Sequence, residues 1–174
     1  SLIAHLEHTY PDYYDLKYNV EVATPGAVQA QVLDDSTALV EYVVGDRHLF
    51  IFTLTSSAFD VTTVPKDSLL ESHVGELRRG IVEQDYESYT RHARALYRQL
   101  LEPVAGRLRV PNLIVVPDGV LNYVPFEALL TANPTAFVRD YRHLPYLVAR
   151  HAVSYAYSST LLLETRHRNR PRAE

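Results

Sequence analysis

The chain has 174 residues, 47% hydrophobic and 22% charged, with a formal net charge of −4. That is enough apolar material for one domain with a core, and the acidic balance argues against nucleic acid, whose footprint is a basic excess on one face. There is no cysteine, which excludes disulfides, thiolate metal sites and a thiol nucleophile among these residues, and no apolar run nears the ~20 residues of a membrane span.

The first residues, SLIAHLEHTY, lack the basic and apolar regions of a signal peptide. Methionine is absent as well, so the expectation is a native start further upstream and a cytoplasmic protein. Leu2, Ile3 and Leu6 share one helical face, which Pro11 interrupts by disfavouring helical geometry before it. The 13 tyrosines need partners for their hydroxyls when buried, which places many of them at the surface or an interface. Thr24 with Pro25 forms a cap and first-turn proline, predicting a short helix over Ala27 to Leu33.

The strongest β signal follows. Ala38 to Val44, His48 to Thr55 and Phe59 to Val64 are β-rich runs parted by Gly45-Asp46-Arg47 and by Ser56 to Ala58, which predicts an antiparallel meander. Two helices come next. Asp67 caps the first, which Ser68, Leu69 and Leu70 open and Val74 and Leu77 continue, with a break around Gly80. The second begins at Asp85 or Glu87. Its apolar face is Tyr86, Tyr89, Ala93, Leu96, Tyr97, Leu100 and Leu101, and Gly106 ends it, with Pro103 carried inside.

LIVVPDGVLNYVPFEALL, residues 113 to 130, is the most informative stretch. It reads as a strand, a sharp turn, a short strand and a helix opened by Pro125. The run of Ile and Val predicts a strand buried on both faces, as in a parallel sheet, and the helices before it give a crossover of βα length. A polar loop over 132 to 145, a strand in YLVARHAVSYAYSS and a terminal helix capped by Ser158 or Ser159 complete the chain.

Several residues are weighed for chemistry. Asp118 follows the end of a buried strand, where ligands of open α/β sheets gather. It reads either as a catalytic acid, base or metal ligand or as a turn residue, with Gly119 supplying positive φ. Glu127 reads as an acid/base group or as a first-turn carboxylate on the helix dipole. His5 and His8 have a spacing that can bind metal, but no H-E-x-x-H pattern, so solvated histidines are expected. A hydrolase of Asp118, Glu127 and His151 requires these groups within hydrogen-bond reach. SYAYSS is not a G-x-S-x-G elbow, and no glycine-rich phosphate loop is present. No catalytic, cofactor-binding or metal-binding residue is therefore assigned, and no cofactor is expected.

The central motif resembles the CHAT domain, the caspase-like domain associated with tetratricopeptide repeats and related to caspases and separases. The resemblance rests on Leu113 to Val116, Pro117, Asp118, Gly119, Leu121 and the Pro125 to Leu129 helix start. In order along the chain, ALVEYVVGDRHLFIFTLT, ALYRQLLEPV and YLVARHAVSYAYSSTLLL resemble the family's hairpin, helix and next strand–helix pair. It implies an α/β, caspase-like fold: an antiparallel β-meander, then helices and a partly parallel sheet, present here as an incomplete, amino-terminal half. Residues 1–24 are then a tether from an upstream helical-repeat region, 25–165 the non-catalytic half, and 166–174 a flexible basic tail. The His-Cys dyad of such cysteine peptidases is expected downstream. The implied partners are that catalytic half, the upstream repeats and a protein substrate, with neither nucleic acid nor membrane, and self-association through an exposed sheet edge. The alternative is a stand-alone, non-enzymatic protein-binding adaptor.

Overall fold

β-Branched and aromatic residues dominate three consecutive segments, and each forms a strand. β1 spans Thr37–Val44, β2 His48–Leu54 and β3 Phe59–Pro65. They pair as the expected antiparallel meander, with Leu39 opposite Leu54 and Leu54 opposite Phe59. The structure is a computed structural model and describes residues 22–135 and 139–168. The anticipated helix end before Pro11, most of the tether, His5, His8 and the tail beyond Arg168 lie outside the described residues.

The buried Ile-Val run is β4, Asn112–Val116, four of whose five residues are buried. It lies parallel to β1, with Leu39 opposite Ile114, and parallel to β5, Ala152–Tyr155. The sheet order is β3-β2-β1-β4-β5. Period-2 alternation then divides the apolar residues between two faces. Ala38, Val40, Tyr42, Leu49, Ile51, Leu113 and Val115 meet two helices, α2 (Leu70–Val82) and α3 (Tyr86–Leu100), in the larger core. Leu39, Leu54, Ile114 and Val116 meet α1 (Pro25–Gln31) and α4 (Ser159–Arg168) in the smaller one. Three layers result, with β1 and β4 at the centre, as expected of an α/β fold of the caspase-like kind.

Capping follows the sequence at three helices but not at α2, where the N-cap is Leu69 without a side-chain cap bond and Asp67 accepts the Leu69 N–H instead. The Thr24 side chain accepts from the Ala27 N–H and starts α1, which stops two residues short of the expected Leu33. Asp85 accepts from the Glu87 and Ser88 N–H groups and starts α3. The Ser158 hydroxyl accepts from the Leu161 N–H at 3.1 Å and opens α4. Ser159 turns instead to Glu41 of β1, tying the helix start to the sheet.

Three further expectations need correction. Gly80 does not break α2. It lies inside the helix, where a Cβ would sit 2.8 Å from the Tyr89 nitrogen, so glycine lets the start of α3 cross closely. The chain reverses at Gln84, which takes φ +56°. α3 ends at Leu100, not Gly106. Pro103 has no N–H for the Gln99 carbonyl and its ring crowds that carbonyl, so a 3₁₀ turn over Glu102–Val104 follows. The segment after β4 holds neither a short strand nor an α-helix. It forms 3₁₀ turns over Gly119–Tyr123 and Phe126–Ala128. Leu130 bridges to Tyr146, and the Leu129 carbonyl takes the Leu147 N–H, which draws the chain out straight before a helix can grow.

Candidate functional site

The carboxyl ends of β4 and β5 lie side by side, as parallel pairing requires, and the two 3₁₀ turns cross them. β1–β4 pairing ends at Glu41 and Val116. Beyond that point the Asp118 carboxylate reaches across and accepts the Val44 N–H at 2.7 Å. It thus extends the ladder with a side chain where the main chain has turned away. Gly119, at φ +54°, makes that turn possible. Asp118 braces β1, 74 residues away in sequence, and the turn assignment for Gly119 holds.

Next to it the Tyr155 hydroxyl donates to the Glu127 carboxylate and accepts the Phe126 N–H at 2.9 Å. Burial, and then the bond to Glu127, hold the Tyr155 phenol well above its ordinary value. It is therefore a fixed donor rather than a base. The Phe126 ring is fully buried, 5.5 Å from the Tyr42 ring and 6.3 Å from that of Tyr155. Tyr42 in turn donates to the Leu100 carbonyl at 3.0 Å. One chain of contacts thus runs from α3 through β1 to β5. Beside it a groove of about 500 Å³ is lined by Arg78, Ile81, Tyr123, Pro125, Glu127 and Tyr155, with the Arg78 guanidinium over the Tyr123 ring at 5.2 Å.

The hydrolase grouping does not assemble. His151 precedes β5, at the opposite end of the sheet from Asp118 and Glu127, and its Nδ1 donates to the Val110 carbonyl at 2.7 Å. Five residues of β4 span about 15 Å, far beyond proton-transfer reach. His143 pairs with Asp140 at the surface, 2.8 Å away. Among the described residues no group of three or more histidine or carboxylate side chains is placed to hold a metal.

A pair not read from the sequence lies between α2 and α3. The Nδ1 atoms of His73 and His92 stand 2.9 Å apart, and Nε2 of His73 is 3.6 Å from Asp67. Two neutral rings satisfy this contact, one donating and one accepting. Burial, then the His73 charge, push His92 below its ordinary value. The available signal was the helical hairpin itself, which brings one side of α2 against α3. Tyr155 was missed for the opposite reason: its partners come from a turn expected to be helix.

The family model of the CHAT domain matches residues 90–174. The matched segment runs from within α3 through β4, the 3₁₀ turns and β5 to α4. No curated protein matches the chain.

Proposed function

We propose, from the premise that this chain carries part of a CHAT domain, a caspase-like and peptidase-related domain, that residues 25–165 form its amino-terminal, non-catalytic half. Their work is to template the sheet on which a downstream half presents a His-Cys dyad. The observation that carries this reading is the state of the parallel ladder. Among the described residues β5 pairs only with β4, and α4 follows it on one face of the sheet. A strand–helix unit of this kind leads by a right-handed crossover to another parallel strand beside the first.

The strand-end residues fit a supporting role. Asp118, Glu127 and Tyr155 are engaged with main chain or with each other. They hold the strand ends rather than react. The upstream side also has a route to the downstream one. The Ala23 N–H donates to the Thr160 hydroxyl at 3.1 Å, and α1 packs beside α4. A shift of an upstream repeat region would therefore reach the helix that leads to the catalytic half.

The test is assembly. Joined to the downstream half, the chain is expected to yield a thiol peptidase that labels with thiol-directed peptide probes, and a Cys→Ala change abolishes labelling. A folded, assembled protein that never labels overturns the peptidase reading and leaves the protein-binding adaptor.

A further inference from the structure

At the end of the sheet opposite the strand-end cluster lies a cavity of about 450 Å³. It falls within the ~300–1,000 Å³ range of small-molecule sites. Leu108, Leu113 and Leu147 form an apolar floor, all nearly inaccessible to solvent. Tyr97 walls one side, and Arg109, Arg150 and His151 ring the mouth.

Among the described residues neither Arg109 nor Arg150 forms an ion pair, while the carboxylates of neighbouring segments are engaged elsewhere. Glu102 is held by Arg94 and Arg98, and Asp60 by Arg107. Arg109 and Arg150 both line the cavity. The Val110 carbonyl fixes the His151 ring through Nδ1, which leaves Nε2 as a positioned polar atom. Two guanidiniums suit the planar oxygens of a carboxylate or the oxygens of a phosphate. The leucines suit neither, and call for an apolar body attached to the anion.

We propose that this cavity binds a small organic anion, a carboxylate or phosphate monoester carrying an apolar ring or chain. Arg109 and Arg150 take the anionic group, and Leu108, Leu113 and Leu147 take the apolar body. The site lies away from the carboxyl ends of the strands, so its occupancy is separable from any peptidase chemistry.

The experiment is an amide-resolved NMR titration of the chain with 3-phenylpropionate, phenyl phosphate, 3-phenylpropionamide and inorganic phosphate. The two aromatic anions are expected to shift the Arg109, Val110, Leu147 and Arg150 amides. They should bind at least about tenfold tighter than the neutral amide or inorganic phosphate, and more weakly as salt rises. Arg109→Gln with Arg150→Gln should remove that binding and leave the rest of the spectrum in place, since both side chains are exposed. Equal binding of acid and amide, equal binding of phenyl phosphate and inorganic phosphate, or no shift at these amides at about millimolar ligand overturns the proposal.

Discussion

The Val44 N–H has one partner beyond the end of the β1–β4 ladder, the Asp118 carboxylate. Asp118→Ala leaves that donor unmet in a half-buried place, and denaturant unfolding is expected to show a loss of about 1–3 kcal/mol. Asp118→Asn keeps an acceptor and should cost less, an order that a wholly exposed turn carboxylate would not produce. Tyr42→Phe removes the hydroxyl bonded to the Leu100 carbonyl, and a loss of about 1–2 kcal/mol is expected in the same measurement. Asp118 and Gly119 were legible as a turn because Pro-Asp-Gly has that chemistry whatever surrounds it. The Val44 partner was not, since a contact across so much chain leaves no mark on local spacing.

Packing of α2 on α3 depends on two features of that hairpin. Gly80→Ala places a methyl group against the Tyr89 main chain, which cannot swing aside as a side-chain tip can. Overpacking of this kind is expected to cost about 1–3 kcal/mol in equilibrium unfolding. The His73–His92 contact adds a pH dependence. His92 is held below its ordinary value of 6.5, by burial first and then by the His73 charge, with Arg91 and Arg79 in the same sense and Glu76 opposing. Its neutral form is thus favoured in the folded state, so the unfolded chain takes up the proton first as pH falls. The contribution is full above about pH 6.5 and declines below it. The thermal midpoint should fall between about pH 7 and pH 5, and His92→Gln should flatten that part of the profile. Strands, the Asp85 cap and both helices of this hairpin were legible from periodicity and capping residues, whereas Asp67 does not cap α2. Gly80 misled because its usual meaning, a break, gave way to a tertiary requirement for closeness. PFEALL misled because pairing of Leu130 with Tyr146 outweighs local helical preference.

The division of the molecule into three layers follows from burial of β1 and β4 on both faces, which the continuous Ile-Val run of β4 made legible. The order of the strands does not, since it depends on which edge β4 joins. β5 leaves its outer main-chain groups without a strand partner among the described residues, and such an edge pairs with other chains. Sedimentation velocity is expected to show concentration-dependent association of this chain. Ala152→Lys, at an exposed position of β5, should suppress it; a strict monomer throughout would count against the edge. β1 has a further consequence through its place in the sheet. One of its neighbours, β2, follows it across a three-residue turn, whereas the other, β4, arrives only after two helices. Closing the short loop costs little entropy and closing the long one more, and hairpins form in about 1–10 μs. Folding should therefore begin in the meander and leave the parallel strands for a slower step. The segment with the family's signature would then be the last to become native, and the part of the chain most exposed to misassembly while it waits.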